Sequence, residues 1–142
     1  MPELPEVEGY RKYLLATAMQ QRIVAVESEN EGRMLPAGMA ALRKASIGKG
    51  IISTERVGKY LFLQLGEANW MMWHFGLTGS PAYFTEKEAA PRFTRIWFEL
   101  ESGHYLGFVS MRKFSRLKLT DSVENFRKAH KIGPDALQAT PE

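Results

Sequence analysis

The sequence predicts a mainly β domain of the α+β class, a two-sheet β-sandwich with flanking helices. Three observations lead there. Apolar residues recur at helical spacing near the start, many short apolar runs separated by turn residues fill the middle, and a capped helical stretch closes the pattern. With 142 residues, 44% of them hydrophobic and 25% charged, one compact domain with its own core is expected.

The elements follow in order. Val7, Tyr10, Leu14, Leu15, Ala18 and Met19 fall on one face of a helix from about Pro5 to Met19. Pro5 suits a first helical position, and Glu6 and Glu8 suit the first turn, where the helix dipole favours carboxylates. Arg22 to Glu29 reads as a strand and Gly38 to Ala45 as a short helix. Ile47 to Arg56 and Lys59 to Leu65 read as strands around a Val57-Gly58 turn, and Trp70 to Phe75 as a buried strand. Phe93 to Leu100 and His104 to Val109 flank Glu101-Ser102-Gly103, a hairpin turn, and Lys113 to Leu119 gives a last strand. Asp121-Ser122-Val123-Glu124 resembles a capping box with Asp at the cap, opening a helix that Gly133-Pro134 stops. The expected domain is therefore 1–132, with 133–142 as the start of a linker.

Composition narrows the chemistry. The absence of cysteine removes disulfides, thiolate zinc sites and thiol nucleophiles from this chain, and fits a reducing compartment. No apolar run approaches the roughly 18 residues of a membrane helix. The acidic start at Glu3 is unlike a signal peptide, and a net charge of +3 permits a polyanionic partner.

Four groups of residues carry functional interest. Removal of Met1 would leave Pro2 with a secondary amine, able to attack an electrophilic sugar carbon and form an iminium. A carboxylic acid beside it, Glu3 or Glu6, could protonate a leaving or ring oxygen. On spacing alone, such a leader is an ordinary helix start. Lys59 opens a strand directly after a turn, which projects its ammonium from the end of the sheet. His74 precedes two glycines within four residues, Gly76 and Gly79, which permit a tight turn and close approach to another molecule. From His104 to Leu119 no acid occurs, while Arg112, Lys113, Arg116 and Lys118 surround Phe114, the composition of a phosphate track with a stacking residue. Core packing and solvated charge account for that stretch about equally well.

Residues 1 to 8, Met-Pro-Glu-Leu-Pro-Glu-Val-Glu, resemble the opening of formamidopyrimidine-DNA glycosylase and its relative endonuclease VIII. The resemblance implies a bifunctional enzyme that excises oxidised bases and then cleaves the strand by β- and δ-elimination. It implies Pro2 as nucleophile, Glu3 as general acid–base and Glu6 in support. It implies that Lys59, in Gly-Lys-Tyr-Leu, is catalytic and contacts phosphate near the lesion. His74 falls on the phosphate-contacting histidine of a His-Leu-Gly-Met-Ser-Gly segment, and Leu77 on its gap-filling methionine. Arg112 and Phe114 fall on the arginine that pairs with the orphaned base and the wedging phenylalanine of Asp-Pro-Arg-Arg-Phe-Gly, with Lys113 between them. That loop departs most, with Ser110 for Asp, Met111 for Pro, Lys113 for Arg and Ser115 for Gly.

Gly133-Pro134-Asp135-Ala136-Leu137 resembles the family's linker to a helix–two-turn–helix domain and zinc finger. The expectation is an N-terminal catalytic domain, a monomer acting on damaged double-stranded DNA in a cytoplasmic, nucleoid-associated setting. It should carry no cofactor of its own, any structural zinc belonging to the region beyond the linker. The alternative is a non-catalytic DNA-binding relative of the same fold.

Overall fold

The computed structural model describes residues 4–29, 32–67, 69–76, 79–111 and 115–130. In chain order these form α1 (Leu4–Thr17), β1 (Ile23–Ser28), α2 (Met39–Ser46), β2 (Ile51–Val57), β3 (Tyr60–Leu65) and β4 (Asn69–His74). Then come β5 (Ser80–Phe84), β6 (Thr94–Leu100), β7 (Tyr105–Val109), β8 (Arg116–Thr120) and α3 (Val123–Ala129). Two four-stranded antiparallel sheets result, ordered β1-β6-β7-β5 and β2-β3-β4-β8.

Alternation along the strands decides which faces meet. In β6, Thr94, Ile96, Phe98 and Leu100 are buried while the residues between them are partly open, so one face of that sheet lies against the other sheet. Strand β3 breaks this rule, because Leu61, Phe62 and Leu63 are all buried. Its sheet is covered on both sides. Leu61 and Leu63 enter the core shared by the two sheets, and Phe62 joins Met72, Val123 and Phe126 beneath α3. Between the sheets lies an aromatic cluster. Trp73 packs against Phe75, Phe98 and Phe108 with ring centroids 5.9, 6.1 and 4.9 Å away.

Helix α1 packs on β2, β3 and β5 through Val7, Leu14 and Ala18, all buried. Leu15, expected on that face, is 42% exposed. It follows Leu14 by one residue, a turn of about 100° that carries it off the apolar stripe. The first hairpin starts later than expected, since Ile47 caps α2 and Gly48, at φ +88°, turns the chain before β2. Phe93 stands outside β6 because its φ of +70° is incompatible with a strand. Strand β5 was not expected at all; Pro81 lies in it, and the strand order puts it at a sheet edge, where a missing N–H is tolerated. The cap of α3 is Ser122, whose hydroxyl accepts from the Asn125 N–H, while Asp121 accepts from the Asn125 side chain instead. The expected linker, 133–142, lies outside the described residues, as do 113 and 114 at the start of the last expected strand.

Trp73 is fully buried, and its Nε1 has no hydrogen-bond partner among the described residues. Trp73→Phe therefore forfeits no bond and should cost less than about 1 kcal/mol, whereas Trp73→Ala should cost about 3–5 kcal/mol through cavity formation. Urea unfolding of both variants decides this; equal losses would refute it.

Candidate nucleic-acid interface

The start of α1 is tied to the tip of the β2–β3 hairpin by one carboxylate. Glu8 accepts from Arg11 Nη2 at 2.6 Å and from Arg56 Nε at 3.0 Å. Arg56 in turn donates from Nη1 to the Gly58 carbonyl at 3.0 Å. Gly58 occupies the turn at φ +62°, a backbone state that glycine adopts without strain. The next residue is Lys59. A helix-borne acid thus fixes the turn that aims this lysine. The Arg11 hydrogen bond, opposed by burial and reinforced by Arg56, holds the Glu8 carboxyl down at about 2. Glu6, two residues nearer the N-terminus, is exposed. Burial first, and then the Glu6 charge, raise the pKa of Tyr10. The Tyr10 ring meets that of Phe75 edge-on at 4.9 Å, just past the end of β4.

His74 is the last residue of β4 and faces Arg116, the first residue of β8, across the ladder. Its ring lies 5.3 Å from that of Tyr60. Burial, then the charges of Lys59 and Arg116, lower its pKa, so the imidazole is neutral at pH 7. Three nitrogen-bearing side chains from three loops or strand ends therefore sit within electrostatic reach at one end of the sandwich. Such a group, two cations and a neutral imidazole that can donate or accept a hydrogen bond, is chemically suited to an anion such as phosphate. Farther along β8, Lys118 Nζ lies 3.4 Å from His130 Nε2 at the end of α3.

Beside this end, two turns touch. The Ser115 hydroxyl donates to the Phe75 carbonyl at 2.6 Å and is 2.9 Å from the Ser110 hydroxyl. The Gly79 N–H reaches the same carbonyl at 2.8 Å. A Cβ on Gly79 would stand 2.2 Å from that oxygen and 2.7 Å from Ser115 Oγ, so only glycine fits.

Of the residues the sequence singled out, Glu6, Lys59 and His74 are described, and Lys59 and His74 are brought together. Pro2, Glu3, Leu77, Arg112, Lys113 and Phe114 lie outside the described residues. Sequence reasoning overlooked Arg116 as the neighbour of His74, although alternation in Arg-Leu-Lys-Leu-Thr sets Arg116 and Lys118 on one face. Arg56 and the serine pair carried no signal that spacing could reveal.

Fold and site together define a β-sandwich domain with a cationic end beneath the start of an N-terminal helix. Residues 1–117 match the family model described as the formamidopyrimidine-DNA glycosylase N-terminal domain. A formamidopyrimidine-DNA glycosylase of Pelotomaculum thermopropionicum is 31% identical over 140 residues, covering 97% of this chain and 51% of the relative. One of Moorella thermoacetica is 34% identical over 141 residues, covering 96% and 51%. A solved MutM in complex with carbocyclic 8-oxo-G DNA superposes with a TM-score of 0.84 at 30% identity, over 93% of this chain and 50% of that one. A Lactococcus lactis Fpg complex with abasic-site DNA gives 0.82 at 26% identity, over 92% and 47%. The chain belongs to the formamidopyrimidine-DNA glycosylase N-terminal domain family, and it spans about half the length of the curated relatives it matches.

Because the folded Glu8 pKa lies below its ordinary value of 4.5, its contribution is present above pH 4.5 and is lost as pH falls toward about 2. Glu8→Gln should cost about 1 kcal/mol at pH 7, as expected of a partly exposed ion pair. The gap from the parent chain should narrow at pH 3. Urea titrations at the two pH values check this, and an unchanged gap would exclude the ion pair as its source.

Proposed function

We propose that the chain is the catalytic domain of a base-excision DNA glycosylase with AP lyase activity, acting on oxidised bases in duplex DNA. The observation that carries this reading is the meeting of Lys59, His74 and Arg116 at the end of the sandwich where α1 is bonded to the hairpin tip. That end offers positive charge to a phosphate backbone beside a helix whose N-terminus bears Pro2 and Glu3.

In the proposed reaction, the Pro2 nitrogen attacks C1′ of the extruded nucleotide. The C1′–base bond breaks, and its electron pair leaves with the base. Glu3 supplies a proton as the sugar ring opens, giving an iminium that joins C1′ to Pro2. Loss of the C2′ proton then expels the 3′ phosphate in β-elimination, and δ-elimination follows. Glu6 supports the acid–base group. Lys59 and His74 hold the bent backbone, and Leu77, Arg112 and Phe114 fill the space left by the base, with Lys113 adding charge. The substrate is damaged double-stranded DNA, the acting form is a monomer, and the setting is nucleoid DNA. No cofactor takes part in these steps.

Borohydride trapping on an abasic-site duplex tests this. The chain with Met1 removed should give a covalent adduct located by mass spectrometry at residue 2. Retention of Met1, which turns the Pro2 nitrogen into an amide, should abolish it. Glu3→Gln should lose base excision by about a hundredfold or more while retaining some cleavage of preformed abasic sites. Salt-dependent duplex binding without an adduct would leave a non-catalytic DNA-binding domain. Absence of any duplex binding would remove the DNA reading altogether.

A further inference from the structure

We propose that Ser110 and Ser115 are positioning residues that tie the chain leaving β7 and the chain entering β8 to the Phe75 carbonyl just past β4, so that His74 and Arg116, next to Phe75 and Ser115, engage DNA as one unit. This rests on the DNA-processing reading above. Each serine is only 1% exposed, and a buried hydroxyl is retained at low cost only when it is hydrogen-bonded. Their hydroxyls, 2.9 Å apart, link these two stretches of chain. Ser115 then passes the link to the Phe75 carbonyl, the acceptor that also receives the Gly79 N–H. The approach is so close that any side chain at Gly79 would strike both partners.

The chain leaving β7 is fastened on its other side as well. Arg95 donates from Nε to the Ser110 carbonyl at 2.8 Å and from Nη2 to the Met111 carbonyl at 3.1 Å. The Ser110 N–H donates to Phe93, the residue held at φ +70°. A non-glycine residue keeps such a conformation only where its surroundings impose it. Ser110 and Met111 are therefore held by the Arg95 side chain of β6 and, through the Ser110 N–H, by the Phe93 carbonyl, while the serine bridge ties Ser110 and Ser115 to Phe75. Where Asp-Pro-Arg-Arg-Phe-Gly has glycine, this chain has Ser115; glycine has no hydroxyl and cannot make the bridge.

The test uses the 142-residue chain and its Ser110→Ala, Ser115→Ala and double variants. Without DNA, amide exchange at Gly79 should quicken about fivefold in Ser110→Ala, which reaches that turn through Ser115, while Leu63 in β3 keeps its rate. With DNA, the preference for a duplex holding a tetrahydrofuran abasic analogue over the undamaged duplex should fall about fivefold in either single variant and no further in the double. Gly79 exchange that is unchanged, or that rises only in step with Leu63, overturns the coupling. So do additive losses in the double variant. A parent chain with no preference for the lesion duplex overturns the functional reading, and the exchange result then still decides the coupling.

Discussion

Phe75 joins the interior of this domain to its working end. Its ring is buried against Trp73 and Phe108 between the sheets and meets Tyr10 of the N-terminal helix edge-on. Its carbonyl, one peptide unit away, gathers the Gly79 amide and the Ser115 hydroxyl. Ring packing in a dense core fixes position to within tenths of an ångström, because any displacement opens a void or a clash. That rigidity passes through the same residue to the Gly79 amide and the Ser115 hydroxyl. Positioning at the edge of a protein usually degrades toward the solvent; here it is anchored directly to the aromatic cluster.

Charge follows a similar division of labour. Lys59 and Arg116 both lie near enough to His74, at the end of the sandwich, for their charges to act on its ring. The protein spends its partly buried acid elsewhere: Glu8 neutralises Arg11 and Arg56, not the cluster. A neutral histidine stands in the middle of that end, its protonation opposed first by burial and then by the same cations.

The sheets were largely legible because alternation and turn residues agree. Phe93–Leu100 and its partner differ from the observed strands by one residue at the start, and the α2 and α3 stretches were placed within a residue or two. Errors arose where a local preference met a tertiary one. Ser-Pro-Ala-Tyr-Phe contains a proline that argues against a strand, yet an edge position accommodates it. Asp121 is a good cap by type, but Ser122 has the extended backbone that a cap requires. In the site, a lysine after a glycine turn and a histidine at a strand end were visible as single residues. The arrival of Arg116 beside that histidine was not, since it comes from pairing β4 with β8 across a large separation in sequence. Glu8 was assigned to structure from its direction around the helix, and the ion pair with Arg56 supplies the specific contact.

That same pairing sets an order of events on the ribosome. β5, β6 and β7 are made between β4 and β8, and all three belong to the opposite sheet. Until residue 116 emerges, β4 has one unpaired edge, with no β8 beside it, and its Trp70 and Met72 side has no α3 above it. Apolar edges of this kind invite pairing with other chains, so the interval between synthesis of β4 and of α3 is the period of greatest aggregation risk. Arg116 joins His74 as β8 pairs with β4, and α3 closes over Met72 only afterwards.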